Sequence, residues 1–375
     1  MLSFKPDLKI QKALKALQGA IAAVANILES VAPEEKQYLN RCALISNVGA
    51  STRIENAVLT DVEIEWVDTT LTQDGKPTAF EEKKEFILNK LSKDRERSVE
   101  EVIGCREVLS TLYQQTQVFS PLTETAIRGL HHELLKYYPP ASRYAGNYKT
   151  VINRVISTNH KTGEERIVLE PTAPGVMTTI AMQELFEWYN EAIKEDPWPL
   201  LVAVEFVFRF LAIHPFQDGN GRLGRALFLL VLLQSSDRLL EEVVPYIAID
   251  RHIEQNKTLY YSVLHQCSGG KFLKDPTAYH YDPLVWFFLK IFESAITDIS
   301  INRQRYANIS QLSETTLTVL NCFKSYPEKR LKVSEIEAMI ALPRRTIQYS
   351  LKILVDKQFI QNLGKGAGSR YQLVF

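Results

Sequence analysis

The spacing of apolar residues predicts a mainly helical chain. In residues 8–31, LKIQKALKALQGAIAAVANILESV, Leu, Ile and Ala recur every three or four positions, and residues 81–114 alternate polar and apolar positions with a similar period. The run PWPLLVAVEFVFRFLAI, residues 197–213, begins with prolines suited to a helix start. Its two charged residues, Glu205 and Arg209, are four apart and can pair on one helix face. We therefore predict a buried helix with one polar seam here.

One segment breaks the helical period. Residues 151–157 and 166–169 are rich in β-branched residues, and they flank the turn-forming sequence NHKTG at residues 159–163. This pattern predicts a β-hairpin within a helical protein.

From residue 311 onward the pattern predicts three short helices and a hairpin. SETTLTVLNCFKSY, KVSEIEAMIAL and PRRTIQYSLKILVDKQF are followed by IQNLGKGAGSRYQLVF, in which glycines separate two strand-like runs. This order resembles a winged helix, whose third helix opens at Pro343. In such domains the start of this helix enters the major groove of DNA and the hairpin forms a wing. The residues in those places are Arg344, Arg345, Thr346 and Gln348 on the helix, and Lys365 and Arg370 on the wing.

Composition places the chain among globular proteins. Its 375 residues are 45% hydrophobic and 23% charged, enough for a buried core in two or three domains. The four cysteines form no CxxC pair, so they imply neither a disulfide framework nor a zinc cluster. The N-terminus has no long apolar stretch and no apolar run is suited to span a bilayer, so we expect a cytoplasmic protein without a membrane partner.

Charge is unevenly distributed although the net charge is zero. Residues 311–375 hold ten Lys and Arg against five Asp and Glu, and the preceding residues hold 34 against 39. The excess favours a separate basic module that docks DNA or an acidic protein, and the sequence leaves these two partners open.

The most informative stretch is LAIHPFQDGNGRLGRALFLLVLLQ, residues 211–234. Asp-Gly-Asn-Gly at residues 218–221 is strong turn chemistry, so the chain turns there between two helices. The second helix begins near Gly221, and the backbone N–H groups of residues 219–221 would be free at its N-terminus to bind an anion. Arg222 and Arg225 in its first turn oppose the helix dipole, which makes sense where an anion binds.

Two further side chains complete this site. His214 titrates near neutral pH, and Asp218 is a hard oxygen ligand suited to Mg²⁺. The alternative is a structural turn with outward-pointing arginines.

The stretch HPFQDGNGRLGR, residues 214–225, resembles the signature H-x-F-x-[D/E]-G-N-G-R-x-x-R of Fic proteins at every specified position. AGNYKTV, residues 145–151, is similar to the entry to the family's flap, and IEQNKTLYYSVL, residues 253–264, is similar to the helix that lines its adenosine pocket. The resemblance implies a Fic helical core, with the hairpin as a flap that aligns the target by strand addition.

The activity implied by this resemblance is transfer of AMP from ATP to a Ser, Thr or Tyr hydroxyl of a target protein, and it leaves open whether the protein itself is a target. In that scheme His214 is the base, Asp218 holds Mg²⁺, and Arg222 supports the developing charge. Phosphates are held by the loop and by Arg225, which binds the γ-phosphate. The residues expected around ATP are Gly219, Asn220, Gly221, Arg222, Arg225, Asn256, Tyr260 and Tyr261.

STRIEN, residues 51–56, resembles the Fic inhibitory motif [S/T]-x-x-x-E-[G/N], with Ser51, Glu55 and Asn56 in its places. Glu55 would then pair with Arg225 and occupy the partner of the γ-phosphate. The alternative is a capping box in which Thr52 and Glu55 stabilise a helix start.

These predictions give three regions. Residues 1–100 form a helical region with the inhibitory motif, residues 101–306 the Fic core, and residues 311–375 the winged-helix-like domain. Two alternatives to AMP transfer stay open: a Fic-type enzyme that removes AMP or transfers another phosphate-containing group, and a nucleotide-sensing DNA-binding regulator. The sequence also leaves a homodimer open.

Overall fold

The computed structural model describes residues 1–73, 76–158, 165–364 and 366–375. The predicted turn at residues 159–163 and Lys365 therefore lie outside the described residues.

Helices dominate the described chain. Those before the hairpin are α1 (Leu8–Glu29), α2 (Pro33–Ile54), α3 (Asp61–Leu71), α4 (Phe80–Leu91), α5 (Glu96–Gln114) and α6 (Glu124–Leu135). Those after it are α7 (Val176–Glu195), α8 (Pro199–Ile213), α9 (Asn220–Gln234), α10 (Arg238–Val243), α11 (Ile249–Gln255), α12 (Lys257–Ser268), α13 (Asp282–Ser310), α14 (Glu314–Ser325), α15 (Val333–Met339) and α16 (Arg344–Asp356).

Strands occur in short antiparallel pairs. They are β1 (Thr72–Gln73) with β2 (Lys76–Pro77), β3 (Val155–Thr158) with β4 (Glu165–Leu169), and β5 (Ile360–Leu363) with β6 (Arg370–Leu373). The predicted mainly α fold with a hairpin is confirmed.

The chain divides into two compact units. The first contains residues 1–57 and 100–300, and the second contains residues 58–99 and 301–375. The domain boundaries predicted at residues 100, 306 and 311 stay a prediction.

In the first unit, α8 and α9 form the central antiparallel pair. Every residue of α8 from Leu200 to Ile213 is buried, and so is nearly all of α9. A helix that is apolar on all sides is buried on all sides. The predicted polar seam is present, since Arg209 lies 3.3 Å from the fully buried Glu205. The loop that joins these two helices holds the signature residues.

The second unit has its own apolar core. Its three C-terminal helices and following hairpin have the predicted order, and Ile347, Leu351 and Leu354 on α16 are buried. Lys90 of α4 lies 3.7 Å from the ring centre of Tyr326, so the preceding helices pack against the C-terminal ones within this unit. In neither unit does a described helix have the length and apolarity needed to cross a membrane.

Candidate active site

Residues 214–219 form the loop between α8 and α9, and its shape is fixed by its own side chains. His214 ends α8 in the left-handed conformation, with φ of 50°. Phe216 is fully buried and anchors the loop in the core. The buried Asn220 amide donates to the Phe216 carbonyl at 2.8 Å and accepts from its N–H at 2.9 Å. The Asn220 side chain is thus occupied inside the loop, so the phosphate contact expected of this residue stays a prediction for its backbone N–H.

A second brace comes from the segment before the hairpin. The backbone N–H of Lys149 donates to the Pro215 carbonyl at 2.8 Å, and its ammonium donates to the Ile213 carbonyl at 3.0 Å. The Asn153 amide donates to the Phe216 carbonyl at 2.8 Å. Burial lowers the pKa of Lys149 to about 8. Lys149 lies in the segment predicted as the entry to the flap, but neither its contacts nor those of Asn153 could be predicted, because the carbonyl groups that they contact are distant along the chain.

His214 is arranged to accept a proton. Its Nδ1 lies 3.3 Å from the Leu211 carbonyl, which can only accept, so Nδ1 carries the hydrogen and the Nε2 lone pair is available. Burial, followed by the cation of Lys149, lowers the pKa of His214 to about 4. The imidazole is therefore neutral at pH 7, which is the form that a general base requires.

His214 lines a cavity of about 210 Å³ that brings together most of the predicted site. The predicted residues on its wall are Glu55, His214, Asp218, Gly219, Asn220, Gly221, Arg225, Tyr260 and Tyr261. Arg154, Val155 and Ile156 of the hairpin region also line it, so the predicted flap borders the cavity. Within the described chain, Arg222 and Asn256 are not part of this wall.

The start of α9 faces this cavity. Gly219 has φ of 79°, which favours glycine, and its N–H donates to Asp218 Oδ1 at 2.6 Å, so this predicted free donor is occupied. A Cβ at Gly221 would collide with Oε1 of Glu55. Only glycine leaves room there for an anionic oxygen, here that of Glu55, beside the positive end of the helix.

Arg225 is the partner of that carboxylate. Its NH2 donates to Glu55 Oε1 at 2.9 Å and to the Ser51 carbonyl at 2.8 Å, and its Nε donates to Ser51 Oγ at 2.9 Å. The buried Asp250 lies 3.8 Å from Nε. Although burial alone lowers the pKa of Arg225, Glu55 and Asp250 raise it. The predicted pair of Glu55 and Arg225 is present in the structure, and the contacts of Ser51 with Arg225 add to it.

Asp250 is a second carboxylate that the sequence analysis missed. Burial raises its pKa to about 6 despite the nearby Arg225. Only the fold brings it to Arg225, since it lies on α11 and no local pattern marks it.

Side chains from α11 and α12 fix the end of α2, next to Glu55. Arg53 makes a two-pronged pair with Glu254 at 2.7 and 2.9 Å, and Lys257 donates to the Ile54 carbonyl at 2.5 Å. Asn56 has φ of 74°, a conformation that Gly and Asn tolerate best. This positive φ explains why the last position of the motif is Gly or Asn.

The capping-box alternative for Thr52 and Glu55 is wrong. Thr52 lies in the last turn of α2, and its hydroxyl donates to the carbonyls of Val48 and Gly49. A capping box does occur in this region, at Thr60 and Glu63 at the start of α3.

Arg222 lies behind the loop, with only 2% of its side chain exposed. Its NH2 lies 3.2 Å from Asp218 Oδ1, while Nε and NH1 have no hydrogen-bond partner within the described chain. Its NH1 also lies 3.7 Å from Oε1 of the buried Glu101. Arg222 is not among the described residues that line the cavity, so its catalytic role stays a prediction.

The predicted adenosine residues separate into two groups. Tyr260 and Tyr261 line the cavity, and the buried hydroxyl of Tyr260 has no hydrogen-bond partner in the described chain, as expected where a polar ligand group can bind. Asn256 is exposed, and its amide donates to the His252 carbonyl at 2.9 Å.

The donor set at Asp218 suits Mg²⁺ bound mainly through a substrate. The Asp218 side chain is 38% exposed and borders the cavity. The described residues contain no cluster of three or more His, Cys, Asp or Glu able to hold a metal ion by themselves. Mg²⁺ commonly binds through one or two carboxylates together with substrate phosphates and water, so one hard oxygen ligand fits it.

Comparison with known proteins agrees with this geometry. The model of the Fic/DOC family matches residues 121–232, which contain the whole loop and both signature arginines. A Fido domain-containing protein of Dictyostelium discoideum is 40% identical over 55 residues, which cover 15% of this chain and 37% of that protein.

Two crystal structures resemble the fold. A Fic family protein from Desulfovibrio desulfuricans G20 is 18% identical with a TM-score of 0.54, and the match covers 100% of this chain and 98% of the other. A Fic domain-containing signaling protein from Bacteroides thetaiotaomicron VPI-5482 is 24% identical with a TM-score of 0.56, over 78% of this chain and 97% of the other.

The family model supports a Fic domain over residues 121–232, and the structural neighbours support the fold. Fic domain proteins transfer phosphate-containing groups such as AMP.

Proposed function

We propose that the protein transfers AMP from ATP to the hydroxyl of a protein side chain and that Glu55 restrains this activity. The observation that carries the proposal is the 2.9 Å pair between Glu55 and Arg225 at the wall of a cavity that also contains His214 and Asp218. A carboxylate at the start of α9 occupies the kind of position that a phosphate would take.

In the proposed transfer step, the free Nε2 lone pair of His214 accepts the proton. The target hydroxyl oxygen attacks the α-phosphorus of ATP while Nε2 of His214 takes the hydroxyl proton. The bond between the α-phosphorus and the oxygen that bridges to the β-phosphate breaks, and pyrophosphate leaves with that electron pair. The products are AMP-modified protein and pyrophosphate.

The loop and Arg225 stabilise the negative charge of the phosphates. The N–H groups of Asn220 and Gly221 at the start of α9 face the α-phosphate, and Arg225 binds the γ-phosphate once Glu55 withdraws. Mg²⁺ held by Asp218 would neutralise further phosphate charge. The buried Arg222 orients the Asp218 carboxylate through its 3.2 Å contact.

The test uses the Glu55→Gly chain with ATP labelled on either the α- or the γ-phosphate, in Mg²⁺, with the protein itself as acceptor. We expect α-label on protein and γ-label in pyrophosphate. Transfer of γ-label to protein would indicate phosphate transfer instead. Release of AMP from pre-modified protein, with no incorporation, would favour the AMP-removing alternative.

A second candidate function, DNA binding, is favoured by the outer face of α16. Arg345, Gln348, Tyr349 and Lys352 recur at helical spacing, and all four are exposed opposite the buried Ile347 face. Arg344 instead pairs with Glu337 of α15 at 2.6 Å. A polar and basic stripe of this kind suits the major groove, where Arg, Gln and Lys bind base edges.

The DNA test compares two double variants of the full chain by fluorescence anisotropy with a mixed-sequence duplex. Arg345→Ala with Lys352→Ala should weaken binding at low salt and reduce its salt dependence. Lys83→Ala with Lys93→Ala removes the same charge from the same compact unit and should change little. If both double variants lose affinity for the duplex equally, or if the parent chain does not bind it, a protein is the remaining candidate partner for this face.

A further inference from the structure

His131, on α6, lies beneath the signature loop and is not part of the mechanism above. It is fully buried, and its ring stacks on that of Phe216 with centroids 3.7 Å apart and planes within 6°. A second histidine therefore contacts the loop, and it is not among the described residues that line the cavity.

Both ring nitrogens of His131 have fixed roles. The N–H of Gly146 donates to Nδ1 at 2.8 Å, and since an N–H can only donate, Nδ1 is the acceptor. Nε2 lies 2.9 Å from the backbone carbonyl of Asp218, which can only accept, so Nε2 carries the hydrogen. The ring is neutral and links the segment before the hairpin to the Asp218 backbone.

The packing leaves the Asp218 backbone little freedom. A Cβ at Gly219 would lie 3.2 Å from Leu134 Cδ2 and 3.4 Å from His131 Nε2, so the turn rests directly on α6. Asp218 Oδ1 is held by the Gly219 N–H and by Arg222. His131 thus fixes the backbone of a residue whose side chain is aimed by its neighbours.

We propose that His131 is a positioning residue, which fixes the Asp218 carbonyl and thereby directs the Asp218 carboxylate toward the Mg²⁺ bound with ATP. The proposal rests on the proposed function, in which Asp218 holds the metal ion. It assigns His131 no contact with substrate.

The test measures nucleotide binding rather than turnover. In a Glu55→Gly, His214→Ala background, in which ATP is not consumed, the Kd for ATP is measured by calorimetry with and without Mg²⁺. The ratio of the Kd without Mg²⁺ to the Kd with Mg²⁺ reports how much the metal ion strengthens ATP binding. His131→Phe retains an aromatic ring over Phe216 but removes both hydrogen bonds. We expect the ratio to fall about tenfold, the lower end for loss of an outer-shell partner of a metal ligand, with metal-free ATP binding nearly unchanged.

His252→Phe is the matched control. His252 is also largely buried, and its Nε2 lies 2.9 Å from Asp298 Oδ2, so its loss costs stability without touching the loop. The proposal requires a normal Mg²⁺ ratio in this control. An unchanged ratio in His131→Phe, or the same loss in both variants, would overturn the positioning role.

Two more variants keep the test decisive. If His131→Phe shows no cooperative melting, His131→Gln is measured instead. Its amide retains a donor and an acceptor, but at positions that differ from those of the imidazole nitrogens. A normal ratio in that folded variant would count against a requirement for imidazole geometry. Asp218→Asn must itself lower the ratio. If it does not, the metal assignment of the proposed function fails, independently of His131.

Discussion

Oε1 of Glu55 lies 2.9 Å from NH2 of Arg225, although 170 residues separate them along the chain. The contact forms because α2 ends at Ile54 beside the start of α9, and Asn56 turns the chain away immediately afterwards. The positive end of α9 and a buried guanidinium favour an anion at this point. In this structure the anion is part of the protein, and under the proposed function a phosphate must displace Glu55 to bind Arg225.

His214→Ala should abolish transfer while leaving ATP binding nearly intact. The base acts on the attacking hydroxyl and does not hold the nucleotide, and its loss is worth roughly 10²- to 10⁴-fold in rate. Initial rates and ATP affinity are measured on the same preparation, in the Glu55→Gly background. A variant that labels protein at the rate of that background would exclude His214 as the base.

The acid limb of the rate profile should lie near pH 4 rather than near 6.5. The folded pKa of His214 is lowered to about 4, so the neutral base persists well below the usual titration of histidine. The same shift makes folding less favourable as pH falls from 6.5 toward 4, because the unfolded chain binds the proton first. Short assays that avoid acid unfolding are therefore needed.

Lys149→Gln provides the control for this profile. It removes the cation that, in addition to burial, lowers the pKa of His214, so the acid limb of the rate profile should move to higher pH. A limb that stays in place would show that burial alone sets the titration of His214.

Asn56 should tolerate glycine but not a β-branched residue. At φ of 74°, Asn56→Gly should change the free energy of unfolding by no more than a few tenths of a kcal/mol, whereas Asn56→Val should cost about 1–2 kcal/mol. Because the strained turn directly follows Glu55, the valine variant should also be more active. Denaturant unfolding and initial rates together test this, and equal stability of the two variants would contradict the backbone explanation.

Local patterns predicted the elements well because the residues that define them are near in sequence. The period of α1 and of α8, the hairpin and the turn at residues 218–221 all lie in single short segments. The signature residues from His214 to Arg225 were found for the same reason. Glu55 was found only because its own segment carries a recognisable pattern.

The rest depended on contacts that no local pattern encodes. His131, Lys149 and Asp250 act on residues far along the chain, and Asn256 lies outside the cavity although the same segment places Tyr260 and Tyr261 on its wall. Residues 58–99 share a compact unit with residues 301–375, which the periodicity of either segment does not reveal. Long-range packing is decided by which faces meet, not by the spacing within one helix.

Ser51→Ala should release the restraint less than a change at Glu55. The hydroxyl accepts from Nε of Arg225, but the Ser51 carbonyl still accepts from NH2 in the alanine variant, and Glu55 stays in place. We expect an initial rate between those of the parent chain and Glu55→Gly. A rate above Glu55→Gly would give Ser51 the larger part in the restraint.

Arg225→Ala in the Glu55→Gly background tests the shared partner. If Glu55 acts by occupying Arg225, the double variant should lose the gain in rate and bind ATP more weakly, while AMP, which lacks a γ-phosphate, should bind as before. A double variant as active as Glu55→Gly alone would exclude Arg225 as the residue for which Glu55 and the phosphate compete.

The most direct test is the initial rate of AMP transfer from α-labelled ATP by Glu55→Gly relative to the parent chain, with melting temperature measured on the same sample. Deleting the carboxylate frees the guanidinium of Arg225 and the start of α9 for phosphate, and since misplacement by about 1 Å can cost about 10²-fold, we expect a gain of that order. An unchanged or lower rate in a variant that remains folded would contradict the account.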